Sequence, residues 1–205
     1  MAHKVVAVLG DSIAQGYVDE TGIGWFGRLA EKISTRGMFG FHNMSMAGDN
    51  VADAYHRFVS ECITRDIDIL IITIGCNDTV RRGAPDAPMD LSPVLRGRYW
   101  KWLLDTARKN IDTVVVFDVM PVREDANNGE YDDENDHSYN RDIKEYNDFI
   151  AGICAERGIP FLRRYDKWAE RDLEKYYVDF GHPNGAGHQL IADEVYAELE
   201  KLKII

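Results

Sequence analysis

The chain has 205 residues, 45% of them hydrophobic, and carries 35 acidic against 24 basic side chains for a net charge of −11. That suits one globular domain able to bury roughly 70% of its extended surface. It argues against a nucleic-acid partner, whose phosphates need a basic face, and no apolar run approaches the roughly 20 residues that cross a bilayer.

Three cysteines, Cys62, Cys76 and Cys154, lack metal-like spacing and read as reduced thiols. The first apolar run is too short for a leader, so the expected location is cytoplasmic.

The first element is the run Val5 to Leu9, too short for a helix and too apolar for an edge, which predicts a buried parallel strand stopping at Gly10. Ser12 then sits on the turn leaving that strand, at the rim where open α/β sheets bind ligands. A glycine-rich loop over Gly16 to Gly24 follows. Trp25, Phe26, Leu29, Ala30 and Ile33 then recur at helical spacing. Phe41 to Met44 reads as a second strand, leading through a loop that contains Gly48 into a helix from Val51 to Cys62.

Ile67 to Ile74, with five isoleucines and a leucine in eight residues, is the strongest strand signal and must be central. It ends at Gly75-Cys76-Asn77-Asp78, which puts Asn77 on the same rim as Ser12. After a stretch with Pro85, Pro88 and Pro93 comes an amphipathic helix. Its expected core face is Tyr99, Trp102, Leu103, Thr106 and Ala107. Thr113 to Phe117 is the next buried strand.

Between Glu124 and Asp142 eight acidic residues face one arginine, a charged flap whose oxygen spacing lacks the regularity of a calcium loop. Ile143, Tyr146, Ile150 and Cys154 mark a helix ended by Gly158, and Phe161-Leu162 form a last short strand. A final helix covers Gln189 to Leu202, with Ile191, Val195, Leu199 and Leu202 inward. Strands alternate with helices and no repeat or second composition regime appears. The reading is one domain over residues 1–205, a three-layer α/β sandwich with a mostly parallel sheet.

Chemistry concentrates in four places. A serine hydroxyl is a poor nucleophile until a base takes its proton, and the base needs a third group to hold its tautomer. His182 and Asp179 can supply both: Pro183 pushes His182 out of helical geometry onto a loop, and Asp179, three residues back, can reach Nδ1 and leave Nε2 for Ser12.

Donors for a developing oxyanion are available at the same rim from the backbone N–H groups of Ser12 and Gly48 and the side-chain amide of Asn77, glycine at 48 permitting close backbone approach. Taken singly, each piece also has a plain reading: Ser12 as a helix cap, Asp179 and His182 as loop residues, Asn77 as a turn residue, Gly48 as a helix-entry glycine. His3, His42, His56, His137 and His188 have no comparable setting.

Together, Gly10-Asp11-Ser12, Gly48, Gly75-x-Asn77-Asp78 and Asp179-x-x-His182-Pro183 resemble, in order and spacing, the blocks of the SGNH (GDSL-type) hydrolase superfamily. The likeness extends to Tyr146-Asn147 and to Asn184 through His188. It implies a flavodoxin-like fold around a five-stranded sheet, and a serine esterase with Ser12 as nucleophile and oxyanion donor. Gly48 and Asn77 would be the other donors, His182 the base and Asp179 its partner. Two positions depart from the pattern. Ile13 stands where the motif has leucine, and Phe180 where a glycine usually follows the aspartate.

The expected activity is hydrolysis of small or medium esters through an acyl-enzyme, with no metal or cofactor and with a small-molecule ester as substrate. Thioesters, lysophospholipids and sugar O-acetyl groups remain alternatives for the same site, and the oligomeric state stays open. A non-catalytic flavodoxin-like module binding FMN is disfavoured because Asp11 stands where phosphate would sit. Trp25, Trp100, Trp102 and Trp168 are candidates to line a pocket, Trp102 reading better as core. Cys76 reads as a small buried residue.

Overall fold

The computed structural model describes residues 3–124 and 136–205. The heart of the acidic flap, 125–135, lies outside the described residues. In chain order the elements are β1 (Lys4–Gly10), α1 (Ser12–Gln15), α2 (Gly24–Ser34), β2 (Phe39–Asn43), α3 (Val51–Glu61), β3 (Ile69–Thr73), β4 (Arg81–Arg82) and α4 (Pro93–Asn110). They continue with β5 (Thr113–Phe117), β6 (Asp136–His137), α5 (Asn140–Arg157), β7 (Phe161–Leu162), α6 (Tyr165–Ala169) and α7 (Gly185–Lys201).

Five strands form one parallel sheet in the order β2-β1-β3-β5-β7, so the isoleucine-rich β3 is central as its composition demanded. Because side chains alternate across a strand, each central strand feeds both faces. Ala7, Leu9, Leu70, Ile72, Val114 and Val116 join the layer of α3, α4 and α5. Val6, Val8, Ile69, Ile71, Val115 and Phe117 join the layer of α2 and α7. Burial on both faces is why these strands read as unbroken apolar runs and not as alternating ones.

Several elements differ from their sequence expectations. Ser12 caps no helix: Asp11 is the cap of the one-turn α1, its carboxyl accepting from the Ile13 N–H at 3.1 Å, and Ser12 is the first helical residue. The buried face of α4 comprises Arg96, Trp100, Leu103, Leu104 and Ala107. Trp100 is fully buried, donating from Nε1 to the Tyr146 hydroxyl at 2.7 Å, whereas Trp102 is 44% exposed. The helix is thus rotated from the expected register, because bulky aromatics at 99, 100 and 102 fit the periodicity on either of two faces.

Helix α7 starts four residues early, at Gly185, which draws His188 into the core and leaves Leu202 37% exposed. The small antiparallel sheet of β4 with β6, distant in sequence and pairing Arg81 with His137 and Arg82 with Asp136, was not expected at all. Two-residue strands give no periodicity to read.

Register decides what meets at the carboxyl rim. Gly10 of β1 lies opposite Thr73 of β3, so the segments carrying Ser12 and Asn77 leave the sheet side by side. The chain after β2 keeps following β1: Met44 N–H donates to Val8 O at 2.9 Å and Met46 N–H to Gly10 O at 3.1 Å, delivering Gly48 to the same place.

Candidate active site

The Asp179 and His182 side of the site rides on the loop before α7. Val178 N–H donates to His182 O and Asn184 N–H to Tyr176 O, both at 2.8 Å, giving the extended backbone that Pro183 favours. The Tyr177 hydroxyl ties this loop to Pro121 O at 2.8 Å, and Arg123 N–H ties it to Phe180 O at 2.7 Å. Glu20, on the segment after Ser12, accepts the Gly185 N–H at 2.8 Å, an anion at a helix N-terminus that holds the two ends of the chain together.

That scaffold brings His182 Nε2 to 2.9 Å from Ser12 Oγ, across 170 residues of sequence. His182 Nδ1 lies 2.7 Å from Asp179 Oδ2. The other carboxyl oxygen of Asp179 accepts the backbone N–H groups of Gly181 at 2.8 Å and His182 at 2.7 Å. Burial alone would raise the Asp179 acid; the His182 ring and these two N–H groups outweigh it and hold the carboxyl below its ordinary value.

Asp11, buried behind the serine, is pushed up to about 6 by burial, against the pull of the Ile13 N–H and the His182 charge. Burial drives the Cys76 thiol far up, so it stays protonated and un-nucleophilic.

Three N–H donors face the serine. Those of Ser12 and Gly48 donate to no group among the described residues. Asn77 gives one Nδ2 proton to Asp49 O at 2.8 Å and keeps a second. Glycine at 48 is required for a different reason from the close approach expected. Its φ is +85°, a left-handed backbone, while a Cβ there would meet nothing within 4 Å. Asp49 is held in turn by Arg57, whose Nε lies 2.6 Å from Oδ2 and whose Nη1 reaches Met44 O at 2.5 Å.

Ser12, Gly48, Asn77 and His182 all border one cleft of about 320 Å³, together with Ile13, Ala47, Cys76, Val80, Phe180 and Gly181. Phe180 stands in a T-shaped arrangement with His182 at 6.3 Å between ring centroids, so the departure from glycine does put a side chain beside that imidazole. None of the four tryptophans borders this cleft; Trp25, Trp100 and Trp168 are core and Trp102 lies on the surface.

Residues not singled out from sequence complete the wall. They are Tyr17, edge-on to His182 at 5.1 Å, and the ion pair of Arg82 Nη1 with Asp136 Oδ2 at 2.7 Å. Tyr17 was findable as the aromatic in the glycine-rich loop after Ser12; the pair depends on the long-range pairing of β4 with β6. Among the described residues no group of three or more potential ligands could hold a metal ion, and no helix is long and apolar enough to cross a membrane.

A family model described as the GDSL-like lipase/acylhydrolase family matches residues 8–190. The chain belongs to that family. The GDSL-like resemblance read from four short blocks therefore extends over nearly the whole chain. Among curated proteins, an uncharacterised Bacillus subtilis protein, YpmR, is 22% identical over 97% of this chain and 82% of its own.

Solved structures share the fold at low identity. A lipase/acylhydrolase from Enterococcus faecalis superposes with a TM-score of 0.75 at 18% identity, covering 97% of this chain and 96% of that one. A catalytic mutant of Axe2, an acetylxylan esterase from Geobacillus stearothermophilus, gives 0.75 at 16% identity, covering 96% and 94%. The psychrotrophic esterase EstA from Pseudoalteromonas sp. gives 0.68 at 16%, covering 98% and 100%.

Proposed function

We propose that this GDSL-like protein is a serine hydrolase of carboxylic esters acting through an acyl-enzyme. The observation that carries the reading is the run Ser12 Oγ, His182 Nε2, His182 Nδ1, Asp179 Oδ2, with separations of 2.9 and 2.7 Å at its two junctions.

Ser12 Oγ attacks the ester carbonyl as His182 Nε2 takes its proton, and Asp179 steadies the resulting imidazolium. Negative charge on the carbonyl oxygen is met by the N–H groups of Ser12 and Gly48 and the free amide proton of Asn77, each worth on the order of 3 kcal/mol in the transition state. His182 then protonates the leaving alcohol, and a water attacking the acyl-enzyme along the same path releases the acid. No step calls on a metal or cofactor.

Within that class the cleft favours short acyl groups on a polar alcohol. At about 320 Å³ it sits at the small end of ligand pockets, and the Arg82–Asp136 pair with Tyr17 offers donors, acceptors and a ring face. Acetylated sugars fit such a wall better than lysophospholipids.

The test is hydrolysis of p-nitrophenyl acetate and butyrate, acetylated xylooligosaccharide and a lysophospholipid by wild type and Ser12→Ala. Ester turnover should vanish in the variant. Turnover that survives Ser12→Ala would refute the mechanism, and preferred lysophospholipid cleavage would refute the substrate class.

A further inference from the structure

The block that supplies Asn77 also supplies a carboxyl that no catalytic step uses. Asp78 has no exposed surface and adjoins Asn77 on the single 3-10 turn Asn77–Thr79. Burial pushes its acid up to about 7; the Val51 N–H, the Tyr146 hydroxyl and the Arg96 charge pull the other way, while Asp11 adds to the rise. Its Oδ1 is buried without a hydrogen bond of standard geometry. A carboxyl so placed is a cost to the fold that the Tyr146 hydroxyl offsets in part.

Its second oxygen reaches across to another loop. Asp78 Oδ2 accepts the N–H of Val51 at 3.1 Å, the first residue of α3. Its neighbour Asn77 donates to the carbonyl of Asp49 at 2.8 Å. Adjacent side chains of one loop therefore grip main-chain groups on either side of Asn50, with Gly48 immediately before.

One such bond is a hinge; two fix rotation as well as translation. This matters because the amide protons of Asn77 are coplanar, so with one committed to Asp49 the tilt of that plane sets where the other points. Behind Asp78 the wall is rigid. Tyr146 packs on Gly75, whose φ is +132° and where an added Cβ would collide with the ring, and its hydroxyl accepts from Trp100 Nε1 at 2.7 Å.

We propose that Asp78 is a positioning residue that locks the Asn77 loop to the Gly48 loop so that their N–H groups converge on one oxyanion. The inference rests on the oxyanion roles proposed above for Asn77 and Gly48.

It is tested by kcat and KM on p-nitrophenyl acetate, with thermal melts, for Asp78→Ala, Asp78→Asn, Asn77→Ala and the double variant Asn77→Ala/Asp78→Ala. Asp78→Ala should lower kcat about 10- to 100-fold with KM within about twofold. Asp78→Asn keeps a carbonyl acceptor for Val51 and should recover kcat to within about threefold of wild type. In the Asn77→Ala background the cost of losing Asp78 should shrink below about threefold, a non-additivity that general loosening of the fold would not produce.

A wild-type kcat in Asp78→Ala, an Asp78→Asn as impaired as the alanine variant, or a full loss persisting without Asn77 each overturns the inference. If Asp78→Ala does not fold, Asp78→Ser, too short to reach Val51, takes its place with the same expectations. Ser12→Ala, assayed alongside, separates the two levels: activity there overturns the underlying mechanism, whereas inactivity there with a normal Asp78→Ala overturns only this inference.

Discussion

The hydrogen bonds at Asp179 make its amide a harsher substitution than its deletion. In wild type Oδ1 accepts two backbone N–H groups, from Gly181 and His182, while Oδ2 faces His182 Nδ1. Asp179→Asn has one oxygen for these two positions. Placing the NH2 at the Oδ1 position would leave two buried N–H groups unmet and pointed at a donor, at about 1–3 kcal/mol each. A bias of at least ~2 kcal/mol, thirtyfold or more, therefore turns the amide nitrogen toward Nδ1.

His182 must then accept at Nδ1 and carry its proton on Nε2, where it cannot take the Ser12 proton. The expected loss in kcat is on the order of 10³- to 10⁴-fold, the scale on which a wrong tautomer disables such a base. Asp179→Ala imposes no tautomer and lets water stand in, so its loss should be at least tenfold smaller, with both variants binding substrate normally. Steady-state kinetics on p-nitrophenyl acetate at pH 8 decide it. An asparagine variant as active as the alanine variant, or more so, would refute the assigned orientation of the triad.

The register of α4 is testable by contrast: Trp100→Ala should cost about 3–5 kcal/mol in urea unfolding and Trp102→Ala under about 1, and equal costs would contradict the observed rotation. Phe180→Gly removes the ring beside His182 and should raise kcat/KM for p-nitrophenyl octanoate relative to acetate several-fold; an unchanged ratio would mean the ring does not border the acyl chain.

Stability should also fall as pH rises. An acid whose folded value exceeds its unfolded one of 3.8 penalises folding once pH passes 3.8, and the penalty is complete above the folded value, which is about 7 for Asp78 with Asp11, Arg96 and Tyr146 around it. That displacement corresponds to ~4 kcal/mol at most, so Asp78→Asn should narrow the gap in Tm between pH 5 and pH 8; a gap as wide as wild type's would argue against a buried charge.

Much of this was open to reading because the sheet interior leaves little choice. Strands β1, β3 and β5 are buried on both faces, and nothing but an apolar run satisfies that. Ser12, Asp179, His182 and Asn77 could be named as candidates from residue type, and the coordinates show that they meet at one cleft. What escaped has a common cause. Helix α1 spans four residues and the β4–β6 pair two per strand, about one period each and too short for a repeat to show. Arg82 and Asp136 come together at the cleft through that long-range pairing. In α4 one buried side chain is an arginine outside the expected face, Arg96, its guanidinium 5.2 Å over the Tyr146 ring.

The two halves of the site are held by different means, and this predicts where it is fragile. Ser12, Gly48 and Asn77 follow neighbouring strand ends whose register is fixed by the sheet, and the Asn77 and Asp78 side chains bond the loop after Gly48 in place. His182 and Asp179 sit on a loop fastened from outside by Tyr177 to Pro121, by Arg123 to Phe180 and, at its exit, by Glu20 to Gly185. Each fastening is a single hydrogen bond, worth about 0.5–1.5 kcal/mol. Loss of one is small against the stability of a domain but large against the tolerance of proton transfer, where displacement by about 1 Å costs on the order of 100-fold. Substitutions at these fastenings therefore act on turnover well before they act on folding.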